Sequence, residues 1–134
     1  ESTIATAMLE YGMNLGIAFQ LADDLLDYAG DPSLTGKNVG DDLNEGKITL
    51  PLLHALEVGD ERERHIVGEA LRNKDCGAFA EVMAIVQRTG GLEVTRNAAL
   101  KHQLQATEAL DVLDQSPARE TLRLMANQAV ERLG

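Results

Sequence analysis

The sequence predicts an all-α fold, a helical bundle built as one domain over residues 1–134. Three observations predict it. Apolar residues recur at steps of three and four along the chain, and no stretch alternates as a strand would. Hydrophobic residues make up 44% of the chain but aromatic ones only 3%, with no Trp, so the core must be built from Leu, Ala, Val, Ile and Met. That set suits packed helices better than sheets. Finally, 134 residues suffice for one real core, and neither an internal repeat nor an interdomain linker divides them.

The first helix is predicted over 3–29, because Ile4, Met8, Tyr11, Leu15, Ala18, Ala22 and Leu25 form one stripe. Ser2 or Thr3 can cap it. Gly12 and Gly16 lie inside it, each costing about 1 kcal/mol relative to Ala. Two glycines one turn apart suggest close approach, either of a neighbouring helix or of a ligand. Gly30-Asp31-Pro32-Ser33 ends the helix, and an irregular segment follows as far as Gly46. It carries three glycines and two cations, Lys37 and Lys47 at its end.

A short buried helix over 48–58 tolerates Pro51 in its first turn, and Gly59 closes it. A second short helix covers 60–73, with Ile66, Val67, Ala70 and Leu71 inward and an Asp/Glu/Arg mix outward. Asp75 can cap a helix over 76–89 that Gly90-Gly91 ends. A long helix over about 92–114 has Leu92, Ala99, Ala106, Leu110 and Leu113 as its stripe. Ser116-Pro117 starts the last helix, 117–133, with Leu122, Met125, Ala129 and Leu133 inward.

The net charge of −10 argues against nucleic acid or an anionic membrane surface as partner. No apolar run reaches the roughly 18 residues of a membrane span. The one cysteine, Cys76, allows no internal disulfide, which fits a reducing, cytoplasmic setting. The chain opens at Glu1 and almost at once enters a helical pattern, as a segment of a longer chain would.

The stretch Phe19 to Tyr28 carries the chemistry. Asp is a poor helix-interior residue, and three carboxylates close together repel unless a cation or proton intervenes. With Asp23 at zero on a helical wheel, Asp27 falls at about 40°, Gln20 at about 60° and Asp24 at about 100°. One sector thus carries three carboxylates and an amide, and Gly16 and Met13 continue it one turn upstream, with Gly12 at its edge. Mg²⁺ takes hard oxygen ligands and commonly one or two carboxylates plus phosphates. A solvated acidic helix end has the same spacing. The lysine-bearing glycine loop just downstream favours a diphosphate held between metal and ammonium groups. Asp41 and Asp42 could add a metal contact, although capping or loop hydrogen bonding is the reading their position favours. The loop is not a P-loop: five residues separate Gly30 from Gly36, Asn38 stands where Ser or Thr is required, and no strand precedes it. His54 reads as a core or boundary residue, His65 and His102 have no partner at metal-ligand spacing, and Cys76 has no activating base nearby.

The pattern Phe19-Gln20-x-x-Asp23-Asp24-x-x-Asp27 resembles the second aspartate-rich motif of the trans-isoprenyl (polyprenyl) diphosphate synthases. Thr35-Gly36-Lys37-Asn38-x-Gly40-x-Asp42-Leu43-x-x-Gly46-Lys47-x-Thr49-Leu50-Pro51-Leu52 is similar to the loop and helix that follow it there. The resemblance is nearly unbroken over 11–56 and is nearest to bacterial long-chain, octaprenyl-type members. From 57 on it is weaker, resting on helical layout and on Leu124 with Ala129-Val130-Glu131-Arg132.

The resemblance implies the carboxy-terminal part of the isoprenoid synthase fold. It also implies a Mg²⁺-dependent prenyltransferase that condenses isopentenyl diphosphate with an allylic diphosphate. By position, Asp23 would bind Mg²⁺ directly, and Asp24 and Asp27 would complete or support that site. Gln20, Lys37 and Lys47 would face the allylic diphosphate, and Gly12, Met13 and Gly16 would border the channel for the growing chain. Asp23, Asp24, Asp27 and Lys37 are thereby the catalytic candidates. The family's first aspartate-rich motif and its isopentenyl-binding segment are not among these 134 residues. The expectation is therefore that the chain alone is inactive, and that apolar faces left exposed make it self-associate as a homo-oligomer. The alternative is a non-catalytic helical regulatory or partner subunit, against which the intact Gln20, Asp23, Asp24, Asp27, Lys37 and Lys47 argue. A terpene cyclase is disfavoured by its different second metal motif.

Overall fold

A computed structural model describes residues 2–29, 41–74 and 76–133. Among them every regular element is helical: α1 (Ser2–Ala29), α2 (Asp41–Asn44), α3 (Leu50–Val58), α4 (Glu61–Asn73), α5 (Phe79–Thr89), α6 (Gly91–Ala109) and α7 (Pro117–Glu131). One turn of 3₁₀ helix, Cys76–Ala78, leads into α5, and another, Leu110–Val112, follows α6. The all-α bundle expected from periodicity is present. The segment expected to stay irregular as far as Gly46 contains the helical turn α2, while Lys37 and the rest of 30–40, and the expected cap Asp75, lie outside the described residues.

The chain packs as two units. One comprises the residues up to Ala22 and those from Arg96 on, and the other runs from Asp23 to Thr95. In the first, Tyr11, Ala106, Leu110 and Ala126 form a buried cluster, flanked by Met8, Leu15, Leu113 and Leu122. Its alanines let helices approach closely. The Tyr11 hydroxyl donates to the Leu122 carbonyl at 2.7 Å, so this aromatic is satisfied at its polar end. Met125, expected inward, is exposed, and Ala126 takes the buried place. A shift of one residue turns the stripe by about 100°.

In the second unit α3, α4 and α5 pack on one another and α2 packs on α4. Leu43, Leu52, Ala55, Val67, Val82 and Val86 are fully buried in one cluster with Tyr28. Each boundary has a local cause. Pro51 sits in the first turn of α3, where its missing N–H costs nothing. Asp60 and Glu63 form a reciprocal capping box at the start of α4, with Glu63 N–H to Asp60 Oδ1 at 2.8 Å and Asp60 N–H to Glu63 Oε1 at 2.9 Å. Gly90 ends α5 at φ 80°, the left-handed conformation glycine adopts without strain. Gly91 serves a different purpose: a Cβ there would lie 2.7 Å from the Pro51 carbonyl oxygen. Gly91→Ala is expected to cost about 1–3 kcal/mol through overpacking, read as a lower urea midpoint. Ser116 caps α7, its hydroxyl accepting from the Arg119 N–H at 3.1 Å.

Glu63 is the exception to the outward charged face expected on α4, where Glu61, Arg62, Arg64 and Arg72 are exposed. It is buried, and Arg88 of α5 donates to both of its carboxylate oxygens. The Arg88 bonds first, and the Asp60 N–H second, pull its pKa from the usual 4.5 to about 2. A folded-state pKa below the unfolded one stabilises fully above about pH 4.5, and that stabilisation is lost as pH falls toward 2. Thermal melts across that window should therefore show a steeper decline for the wild-type chain than for Glu63→Gln.

No described helix is long and apolar enough to cross a membrane. Large apolar side chains are nevertheless exposed on α1, including Leu9, Met13, Ile17 and Phe19.

Candidate functional site

The last two turns of α1 decide how its acidic sector is read. Ala22, Leu25, Leu26 and Tyr28 are buried there, as the apolar stripe requires. The carboxylates are buried too: Asp24 is 7% and Asp27 1% exposed, while Asp23 is half-buried. A solvated helix end, the bland alternative, would leave them in water. Burying a carboxylate is strongly unfavourable unless charge or hydrogen bonds compensate it.

The segment after the loop supplies that compensation. The Asp42 N–H, in the first turn of α2, lies 3.4 and 3.3 Å from the two Asp27 carboxylate oxygens. The turn that closes α2 has Gly46 N–H on the Leu43 carbonyl at 3.0 Å and Lys47 N–H on the Asp42 carbonyl at 2.8 Å. This folds Lys47 back over the acidic residues. Its Nζ stands 3.8 Å from Asp24 Oδ1 and 3.9 Å from Asp42 Oδ1. Lys47 is 45% exposed by side chain, so its ammonium faces both the buried carboxylates and solvent. Asp42, 2% exposed, joins the site, with its backbone N–H on Asp27 and its carboxylate by Lys47.

Two hydroxyls lie among these groups, and reading the sequence alone did not find them. Tyr28 is 1% exposed, its ring stacked on Phe79 at 5.8 Å between centroids. Burial first, then the Asp27 and Asp42 carboxylates, push its phenol well above the ordinary value, with Asp24 adding a little and the Thr49 hydroxyl opposing. Thr49, 6% exposed, occupies the N-cap position of α3, but its side chain makes no capping bond. The Thr49 hydroxyl acts on the Tyr28 phenol as a hydrogen-bond partner, though the pair falls short of ideal geometry. Their one sequence signal is position: Tyr28 follows Asp27 directly, and Thr49 stands two residues after Lys47.

The structure thus brings Asp24, Asp27, Asp42 and Lys47 into one neighbourhood, with Asp23 half-buried on the same helix end. Gln20 is exposed on α1, and Lys37 lies outside the described residues. Among the described residues, no three His, Cys, Asp or Glu side chains converge closely enough to hold a metal ion. The donor set still fits Mg²⁺, which needs only one or two carboxylates when phosphate and water supply the remaining oxygens.

In the other unit, Gly12, Leu15, Gly16 and Phe19 of α1 line an apolar groove of about 430 Å³ with Met125 and Ala129 of α7. A Cβ on Gly12 or Gly16 would meet nothing within 4 Å, so no described helix packs closely on either glycine. Met13 does not line this groove; it is about 100° round the helix from Gly12 and largely exposed. The Arg132 guanidinium lies 5.0 Å from the Phe19 ring centroid.

Known proteins share these elements. Residues 1–88 match the family described as polyprenyl synthetase, a span that includes the acidic helix and the Lys47 turn. The chain is 46% identical over 124 residues to the octaprenyl diphosphate synthase of Escherichia coli K12, covering 92% of this chain and 38% of that enzyme. It superposes with a TM-score of 0.89 and 37% identity on a polyprenyl synthase of Caulobacter crescentus complexed with calcium and isoprenyl diphosphate, covering 100% of this chain and 42% of that one. A geranylgeranyl pyrophosphate synthase of Corynebacterium glutamicum, complexed with isoprenyl diphosphate and magnesium, gives 0.85 and 30% over 98% and 38%. The chain thus spans about two fifths of the length of these relatives, and its helices are those of the isoprenoid synthase fold over that span. With motif, fold and family match agreeing on the same residues, the chain belongs to the polyprenyl synthetase family.

Proposed function

We propose that this chain supplies the diphosphate- and Mg²⁺-binding wall of a trans-prenyltransferase that condenses isopentenyl diphosphate with an allylic diphosphate to make a long-chain polyprenyl diphosphate. The observation that carries the reading is the Lys47 ammonium set 3.8 and 3.9 Å from two buried carboxylates while half exposed to solvent. An ammonium there can turn from carboxylate to diphosphate oxygen without leaving the site. Asp23, the most exposed of the three motif aspartates, is the direct metal ligand in this reading, and Asp24 and Asp27 support it. Mg²⁺, when bound, stabilises the charge that develops on the departing diphosphate. Gln20, Lys37 and Lys47 hold and orient that diphosphate, with Lys37 among the catalytic residues. Asp27 fixes the first turn of α2 and so the return path of Lys47. The apolar groove at Gly12 and Gly16 suits the hydrocarbon chain, which needs shape and dryness more than polar contacts.

The relatives with bound isoprenyl diphosphate, calcium or magnesium support this reading. One acidic cluster offers one wall of such a site, so the 134 residues alone do not elongate prenyl chains. The chain is cytoplasmic, folds as one domain, and self-associates through the exposed apolar face of α1. A monomer by light scattering at high concentration would contradict the last point. The reaction itself is tested by substituting this chain for the matched segment of the Escherichia coli octaprenyl diphosphate synthase. Mg²⁺-dependent elongation by the chimera, abolished by Asp23→Ala, is expected. A folded but inactive chimera would overturn the assignment.

A further inference from the structure

Helices α4 and α5 end in the same way. At each end one residue in the left-handed conformation donates its N–H to the carbonyls three and four positions back. At α5 that residue is Gly90, at φ 80°, and glycine takes this conformation without strain. At α4 it is Lys74, at φ 49°, the one non-glycine with a positive φ among the described residues. A left-handed conformation costs any residue that has a Cβ. A cap made by lysine, where glycine serves in the next helix, calls for a use of the lysine side chain.

That side chain crosses Gly46. A Cβ on Gly46 would lie 3.3 Å from Lys74 Cε and 3.5 Å from both Lys74 Cγ and the Leu71 carbonyl oxygen. Gly46, itself at φ 73°, thus leaves open the space that the lysine stem takes. It belongs to the turn that closes α2, and the next residue is Lys47, whose ammonium stands by Asp24 and Asp42. The four residues of α2 are too few to hold a helical turn by themselves. They pack on α4 and on the 3₁₀ turn Cys76–Ala78, and Lys74 lies in the chain between those two elements. We propose that Lys74 is a positioning residue, its aliphatic stem lying across Gly46 and holding the turn that aims the Lys47 ammonium. A long cationic side chain commonly covers backbone or apolar surface with its stem while its head stays in water, and Lys74 is exposed. The consequence for ligand binding rests on the diphosphate reading of the site, whereas the consequence for the turn does not.

Two measurements on the 134-residue chain test it. Hydrogen exchange of the Gly46 and Lys47 amides reads the turn, and calorimetry with inorganic diphosphate in Mg²⁺ reads the site. Lys74→Met keeps an unbranched stem without the charge and should match the wild type in both. Lys74→Ala and Lys74→Gly remove the stem. Both amides should then exchange about tenfold faster, and diphosphate should bind about tenfold more weakly, the order expected of a residue that acts on a ligand it does not touch. Lys74→Gly also relieves the left-handed strain, so its melting temperature should be no lower than that of the wild type. Faster exchange and weaker binding without a loss of stability is a combination that a merely structural cap does not produce. Wild-type exchange in Lys74→Gly would overturn the inference. So would a joint fall of affinity and melting temperature in that variant. An equal loss of affinity in Lys74→Met and Lys74→Gly would overturn it too, by giving the role to the ammonium. A wild-type chain that binds no diphosphate but shows the expected exchange pattern would support the positioning of the turn and overturn the function reading alone.

Discussion

Lys47→Ala is expected to weaken binding of Mg²⁺-diphosphate by roughly a hundredfold, the order seen when one partner of a charge-assisted contact is deleted. The same change should lower stability by only about 1–2 kcal/mol. The two magnitudes differ for a physical reason. In the ligand-free chain the ammonium stands 3.8 and 3.9 Å from Asp24 and Asp42, longer than a charge-assisted hydrogen bond, and nearly half its side chain is in water. Its attraction is screened, and the residual cost is that of two buried carboxylates losing a neighbour. Around a diphosphate the same ammonium acts at short range in a drier site. Lys47→Arg should restore charge but only part of the affinity, because a planar guanidinium does not fit where a compact ammonium does. Calorimetry and urea unfolding check both halves. A variant that loses stability and keeps its affinity would mean that Lys47 is a structural counter-ion.

Leu52→Ala should be the most damaging single change to the fold, at about 3 kcal/mol. Leu52 is fully buried at the centre of the cluster made by Tyr28, Leu43, Val67, Val82 and Val86, and its truncation leaves a cavity that helices cannot collapse into. For a domain whose whole stability is about 5–15 kcal/mol that is a large share. The effect also reaches the site, because Tyr28 and Leu43 each lie beside a site aspartate in sequence and belong to the same cluster. The urea midpoint should fall with an unchanged slope. A loss under about 1 kcal/mol would mean that the second unit is packed more loosely than described.

What could be read from the sequence is what is encoded locally. The first helix follows from a stripe at steps of three and four, and its end at Ala29 from the glycine and proline beyond. Gly90 and Ser116-Pro117 mark boundaries because their backbone preferences act within a few residues. The acidic sector was visible on a wheel, since Asp23, Asp24 and Asp27 share one helix.

The rest depends on residues distant in sequence. Glu63 looked like a surface charge until Arg88, twenty-five positions on, covered it. Asp42 looked like a loop residue, and its role depends on a 15-residue separation from Asp27 that no local pattern reveals. Tyr28 and Thr49 carry only the signal of position, beside Asp27 and Lys47, because the burial of a hydroxyl is a property of its surroundings. Met125 and Ala126 show a subtler error: both fit a plausible stripe, and only the packing of α7 selects the alanine. Gly91 was read as a helix stop, whereas its reason is the Pro51 carbonyl, forty residues away.

The central claim is that the end of α1 and the Lys47 turn hold a diphosphate together with Mg²⁺. It is tested most directly by titrating inorganic diphosphate, with and without Mg²⁺, into the wild-type chain and into Asp23→Ala. The account predicts Mg²⁺-dependent binding by the wild type and its loss, by at least about a hundredfold, in the variant. Equal binding by the two chains would contradict it.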